Sequence, residues 1–219
     1  MLQGKFRQKL GVDNDTLLVG IIGRLAPIKN HKMFFDAAKK FIEHNKNTPV
    51  VFAIIGDGEM REKLEAYCQK QGLTGQVIFY GWEKNVASVY ADLDILALTS
   101  LSEGTPVSII EAMASSVPVI ATDAGGVIEL LGDPVGDTHT NGFKICERGV
   151  LCRKNDATGF SAGLKWLIEN KGFDTKKLTD QARSFAKEHF SSERLVNDIE
   201  KLYLELYNSK CNINQEKRP

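Results

Sequence analysis

Short apolar runs alternate with longer amphipathic ones along this chain, and that alternation narrows the architecture more than any other feature. The segments "TLLVGII" (16–22), "PVVFAII" (49–55), "QVIFY" (76–80), "LDILALT" (93–99) and "VPVIAT" (117–122) read as strands, with "GVLC" (149–152) as a short further one. Near-continuous hydrophobic runs of this length belong to strands covered on both faces, as in parallel sheets. Helical patterns lie between them. "NHKMFFDAAKKFIEHN" (30–45) has apolar residues at helical spacing and a polar back, and "GDGEMREKLEAYCQKQG" (56–72) is a turn followed by a helix that stops at Gly72. Another helix spans the region of Lys84–Ala91, and one starts at Pro106. Strand–helix alternation at this spacing builds βαβ units. The expected fold is α/β: a Rossmann-like, doubly wound parallel sheet of about six strands, with extra C-terminal helices.

The last third breaks the pattern. Residues 132–148, "GDPVGDTHTNGFKICER", read as a polar surface excursion. "NDATGFSAGLKWLIEN" (155–170) reads as a helix capped by Asp156, and "TDQARSFAKEHF" and "SSERLVNDIEKLYLELYN" as two more. "SKCNINQEKRP" has no core-forming pattern, so 1–208 is expected as one domain and 209–219 as a disordered tail. With 219 residues the chain can build one good core and is short for two.

Composition excludes some functions. Lys+Arg (28) and Asp+Glu (28) balance, so no global field draws nucleic acid to the chain. Cys68, Cys146, Cys152 and Cys211 form neither a C-x-x-C pair nor a zinc-like spacing with histidine, so no metal site is expected. "MLQGKFRQKLG" at the N-terminus lacks the apolar stretch of a signal peptide, and no run approaches the ~18–20 apolar residues of a membrane span. The expectation is a cytoplasmic protein with reduced thiols.

In open α/β sheets ligands bind beyond the carboxyl ends of the strands, which directs attention to the strand-to-helix loops. "GRLAPIKN" (23–30) offers Gly23 for close backbone approach, the planar fork of Arg24 for phosphate oxygens and the point charge of Lys29. It is neither a Walker loop nor G-x-G-x-x-G, and it also reads as a solvated cationic turn. "GDGE" (56–59) is explained equally well by turn chemistry. In "GWEKN" (81–85), Gly81 leaves room and Trp82 supplies a flat surface, either for a nucleobase or for ordinary packing. In "SEGTPVSIIEAMASSVPVIAT" (102–122), Thr105 suits a helix cap and Pro106 the first helical position. The amides of that first turn form an anion site. Glu111 lies one turn further along, on the face of Val107 and Ser108. An ionised carboxylate among Ile, Ala and Met is costly unless hydrogen-bonded, and vicinal ribose hydroxyls would supply the bonds. Glu103 would reach a sugar on the other side of the phosphates. The alternative, Glu111 on a solvent face, stays open.

"EGTPVSIIEAMASSVPVIATDAGGVIELL", with its E-x7-E pair Glu103–Glu111, resembles the donor-domain signature of the retaining GT-B glycosyltransferases called family 4. "VGIIGRLAPIKNHKMFFDAAKKF", "IIGDGEMREKLE", "VIFYGWEKNVASVYADLDILALTS" and "ERGVLCRKNDATGFSAGLKWLIEN" resemble the same family in the same order, so that the resemblance covers residues 10–205. It implies that Arg24 and Lys29, beside Gly23, bind a donor diphosphate, and that Glu103 is the catalytic contact to the transferred sugar. The backbone around Gly104, Thr105, Pro106 and Val107 would contact sugar and phosphate, Glu111 the ribose, and Gly81 and Trp82 would border the base. The donor would be a UDP-, GDP- or ADP-sugar and the acceptor a glycan or lipid-linked molecule. No cofactor and no required metal are implied, and configuration would be retained.

The family resemblance also implies a second, N-terminal Rossmann-like domain that carries the acceptor and a cleft histidine. His31, His44, His139 and His189 do not match that histidine, so the chain is expected to be the C-terminal half of such an enzyme. It would be an expressed piece, a truncated gene product or one part of a split enzyme, with the full enzyme associating peripherally with membrane. Two other readings remain: a related sugar-nucleotide epimerase, and a non-catalytic nucleotide-sugar-binding module. Fold alone does not choose among them.

Overall fold

The computed structural model describes residues 3–135, 142–170 and 172–216. In chain order its elements are α1 (Lys5–Leu10), β1 (Leu17–Ile22), a 3-10 turn (Pro27–Lys29), α2 (His31–His44), β2 (Val50–Ile55), α3 (Arg61–Lys70), β3 (Val77–Gly81), α4 (Val86–Tyr90) and β4 (Ile95–Leu98). There follow α5 (Val107–Ala114), β5 (Val119–Thr122), α6 (Val127–Leu131), β6 (Phe143–Cys146), β7 (Gly149–Cys152), α7 (Ala157–Glu169), α8 (Phe173–Phe190) and α9 (Ser192–Glu216).

The strands form one seven-stranded sheet in the order β3-β2-β1-β4-β5-β7-β6. All neighbours are parallel except β6 and β7. The chain runs outward from β1 to β2 and β3, then returns to add β4 on the other side. The reversal places the topological switch point between β1 and β4.

Successive strand residues divide between two cores. Val19, Ile21, Phe52, Ile54, Ile95, Ala97, Ile120 and Val150 join Phe34, Phe35 and Phe41 of α2 and Phe160, Leu164 and Leu167 of α7. Leu18, Ala53, Ile55, Leu96, Leu98, Val119, Ala121 and Leu151 join Val89 and Tyr90 of α4, Ile109 and Met113 of α5, and Ala182 and Ala186 of α8. The period of two on strands with both faces covered is why these segments are apolar throughout. Gly20 belongs to this packing, since a Cβ there would lie 2.6 Å from a methyl of Leu93.

The sheet has one strand more than the sequence pattern suggests. β6 lies inside the stretch read as a surface excursion, and it pairs antiparallel with β7 from Phe143↔Cys152 to Cys146↔Gly149. It is only four residues long: Phe143 and Ile145 face one core and Cys146 the other, while Lys144 is exposed, so the segment shows neither a continuous apolar run nor an alternation long enough to stand out. Residues 136–141 of that stretch lie outside the described residues.

Helix α1 also goes unseen in the sequence, because what anchors it is polar. Asp92 accepts hydrogen bonds from the N–H groups of Gly4, Phe6 (2.7 Å) and Arg7 (3.0 Å) at the helix start. Arg7 in turn donates to Asp94 at 2.6 Å and to the carbonyl of Thr16 at 2.7 Å. The expected Asp156 cap is present, accepting from Gly159 N at 2.8 Å. Helix α9 continues through 209–216, into the stretch expected to be a disordered tail. Its Leu195, Val196, Leu202, Tyr203 and Leu206 are exposed. No helix of the described residues is long and apolar enough to cross a membrane.

Candidate functional site

The loops at the carboxyl ends of the strands are stacked backbone on backbone. Gly23 N donates to Ile55 O at 2.9 Å and Gly56 N to Gly81 O at 2.7 Å, which links the exits of β1, β2 and β3. Gly56 has φ +137° and a Cβ there would lie 2.0 Å from the carbonyl oxygen of Gly23, so only glycine lets these exits close on each other. Turn chemistry alone therefore does not account for the "GDGE" stretch.

The exit of β4 is tied to that of β1 across the switch point. Thr99 Oγ1 donates to the carbonyls of Lys29 (3.0 Å) and Asn30 (3.2 Å), and Leu101 N donates to Ile28 O at 2.8 Å. This clasp brings Lys29 Nζ to 2.6 Å from Glu103 Oε1, with both side chains mostly buried. Ser100 Oγ donates to the same oxygen. Among the described residues no hydrogen bond is made to Oε2 of Glu103.

Behind Lys29 lies His31, which is 2% exposed and whose Nδ1 has no hydrogen-bond partner among the described residues. Burial, reinforced by the charge of Lys29, pushes its pKa down to about 4. The imidazole is neutral at physiological pH, so the ammonium of Lys29 is the cation of this corner.

Helix α5 starts one residue later than its sequence suggests. Pro106 is the N-cap, with ψ 109°, and no side chain caps the helix, so Thr105 does not have the capping role expected of it. A proline has no N–H to offer; its carbonyl accepts from Ile109 N at 3.1 Å. The N–H groups of Val107 and Ser108 precede the first intrahelical bond and, among the described residues, are the free donors at the positive end of the helix. Gly104, Thr105 and Val107 are exposed while Pro106 is buried.

Glu111 is half-buried and faces α4 rather than open solvent. Tyr90 O–H shares its proton between Glu111 Oε2 (2.9 Å) and the carbonyl of Ser108 (3.1 Å). Burial, then the Glu111 charge, raises the Tyr90 pKa far above its ordinary value, so the phenol stays a donor.

One turn before Tyr90, Val86 lines a cavity of about 280 Å³ with Ile22, Gly23, Arg24, Ile55, Gly56, Asp57, Trp82 and Glu83. Trp82 is 70% exposed, which rules out the ordinary-packing reading and leaves its face available at the rim. Its loop is braced by Glu83, which accepts from Lys9, Tyr80 and Asn85 N; these bonds hold its carboxyl down to about 2. Arg24 lies at the same cavity, but its side chain is 73% exposed and pairs with Glu59 at 3.1 Å. Lys29 and Arg24 are thus not equivalent: one is seated in the crevice, the other lies on its edge.

The sequence reading missed three contributors. Gly125 (φ +58°) and Gly126 floor the Glu103 loop, since a Cβ on either would lie 2.1 Å from the carbonyl oxygen of Glu103 or Gly104 respectively. The Gly-Gly pair in "DAGGVIELL" is the signal for them. Tyr90 is the third, and nothing in its apolar helix distinguishes it from a core aromatic.

The family model for glycosyl transferases group 1 matches residues 3–189. The Escherichia coli UDP-Gal:alpha-D-GlcNAc-diphosphoundecaprenol alpha-1,3-galactosyltransferase is 28% identical over 210 residues, covering 95% of this chain and 51% of that protein. The crystal structure of Anabaena HepE in complex with UDP-glucose superposes with a TM-score of 0.77 at 26% identity, over 92% of this chain and 52% of that one. A C-terminal domain of a glycosyl transferase group 1 family protein from Francisella tularensis superposes with a TM-score of 0.66 at 25% identity, covering 80% and 87%. The chain spans about half the length of the curated relatives it matches.

Proposed function

The chain belongs to the glycosyl transferases group 1 family, and from that premise we propose that these residues hold a nucleoside-diphosphate sugar for transfer with retained configuration. The observation that carries this reading is the meeting of Lys29 and Glu103 across the switch point, beside the uncapped start of α5. A diphosphate there would find an ammonium and the free N–H groups of Val107 and Ser108. The unpartnered oxygen of Glu103 would face the sugar. Glu111 would take the ribose, and the cavity under Trp82 the base.

In the reaction, negative charge grows on the leaving diphosphate as the glycosidic bond breaks. Preorganised donors stabilise that charge without reorganising during the step. Lys29 and the α5 amides supply it here, joined by Arg24 once it swings from Glu59. This chemistry calls for neither a metal nor a cofactor. The acceptor, a glycan or lipid-linked molecule, is assigned to a further domain or chain, because the relatives are about twice as long. Buried, unbridged Cys68, Cys146 and Cys152 suit a cytoplasmic setting.

HepE is described in complex with UDP and with UDP-glucose, and the E. coli relative is named for UDP-Gal, so uridine is the first base to test. Calorimetry of the 219-residue chain against UDP, GDP and ADP is expected to find at least one binder. No heat from any of them at millimolar concentration would overturn the assignment.

A further inference from the structure

We propose that Tyr90 is a positioning residue that pre-aims Glu111 at the two hydroxyls of the donor ribose; this rests on the site reading above. Three features on the page converge on it. The Tyr90 hydroxyl is anchored at both ends of the first turn of α5, through Ser108 O at 3.1 Å and Glu111 Oε2 at 2.9 Å. Tyr90 is 3% exposed and belongs to the buried cluster that includes Val89, Leu93 and Ile109, so the donor is held in place. Finally, α4 carries Val86 at the base cavity and Tyr90 at Glu111, four residues apart and therefore on the same helical face.

The chemistry follows from the division of labour on one carboxylate. Glu111 has a long side chain that would lose rotamer freedom on meeting a ligand. Tyr90 fixes one oxygen before the ligand arrives, while Oε1 has no hydrogen-bond partner among the described residues. A vicinal diol offers two donors to a carboxylate held in this way. One helix thereby sets the spacing between base and ribose sites, and a nucleotide whose base seats against Val86 brings its ribose to a carboxylate already in place.

The test uses the 219-residue chain, calorimetry, and two probes: UDP and its 2′,3′-dideoxy analogue, or the corresponding GDP or ADP pair if that nucleotide is the binder. Tyr90→Phe removes only the hydroxyl. It is expected to weaken UDP roughly tenfold, the scale of a lost hydrogen bond to a charged group, and to leave the dideoxy analogue within twofold. In the double variant Tyr90→Phe/Glu111→Ala, the loss should equal that of Glu111→Ala alone. Equal weakening of both probes by Tyr90→Phe, or additive losses in the double variant, would show a packing role and overturn the proposal. So would unchanged UDP affinity in Tyr90→Phe while Glu111→Ala weakens it; that result leaves the ribose assignment standing. If Glu111→Ala itself changes nothing, the ribose assignment fails and the proposal with it.

Discussion

Lys29 and Glu103 stand on loops from opposite sides of the switch point, and their side chains meet at 2.6 Å. The two loops are tied together by hydrogen bonds to backbone carbonyls: Thr99 Oγ1 donates to those of Lys29 and Asn30, and Leu101 N to that of Ile28. A cation and an anion are therefore fixed side by side at the start of α5. Under the proposed function this pair would join the group that binds phosphate to the one that meets the sugar. The two glutamates of the E-x7-E pair are built alike: one oxygen of each is held by protein donors.

The division of labour between those glutamates can be read from binding. Glu111→Ala is expected to weaken UDP and UDP-glucose alike, because both carry the ribose. Glu103→Ala should spare UDP and weaken the conjugate. Each lost charged hydrogen bond is worth roughly 1.5–3 kcal/mol, or about 10–150-fold in Kd. Calorimetry with both ligands decides, and equal effects of both substitutions on both ligands would sink the assignment.

Gly125→Ala and Gly126→Ala should damage the site without touching a ligand. The added methyl would meet the backbone oxygen of Glu103 or Gly104 at 2.1 Å, and a backbone oxygen cannot rotate away as a side chain can. Overpacking of this kind costs about 1–3 kcal/mol. A lower Tm and weakened UDP-glucose binding are expected together. Gly172→Ala, which meets nothing within 4 Å, is the control and should change neither. Normal donor affinity in both cleft variants would mean that the loop tolerates displacement.

Much of this molecule is legible in its sequence, for physical reasons. β1 and β2 are apolar throughout because both faces are covered, and six consecutive pairs from Leu17↔Val50 to Ile22↔Ile55 confirm their extent. Lys29, Glu103 and Glu111 stand out because charge beside apolar runs is costly and so suggests a partner. What stays hidden depends on contacts distant in sequence. α1 is held by Asp92, more than 80 residues away, and Tyr90 reads as a core aromatic until Glu111 is seen against its hydroxyl. The Thr105 cap misleads because propensity alone marks it, whereas the backbone places the extended Pro106 at that position.

Acid should weaken the fold through His31. Its folded pKa, about 4, lies below the ordinary 6.5, so between these values the unfolded chain binds a proton that the native chain does not. The contribution is complete above the unfolded pKa and is lost as pH falls from there toward the folded value. It amounts to about 1.4 kcal/mol of lost stability at pH 5.5 relative to pH 7.5. Denaturant unfolding of wild type and His31→Gln at both pH values tests this. The variant should lose less stability on acidification than wild type by about that amount, and parallel losses would show that His31 is not the titrating group.

Sugar transfer by the 219-residue chain alone is expected to be absent at any enzymatic rate. In the proposed role these residues would stabilise charge on the leaving diphosphate, but bond formation also requires an acceptor hydroxyl held in line with the anomeric carbon. Losing that positioning forfeits several orders of magnitude, since effective molarities of oriented groups reach about 10⁵–10⁸ M. Without a second domain to close over the donor, water also has access to it. Slow release of UDP from UDP-glucose is then the most that should be seen, and it should fall further in Lys29→Ala, which removes the cation paired to Glu103. A radiolabelled donor assay against a panel of glycan and lipid-linked acceptors checks both points. Turnover that appears only when a separately expressed acceptor domain is added would support the assignment. Robust transfer by this chain alone, abolished by Glu103→Ala, would place the acceptor site within these residues instead.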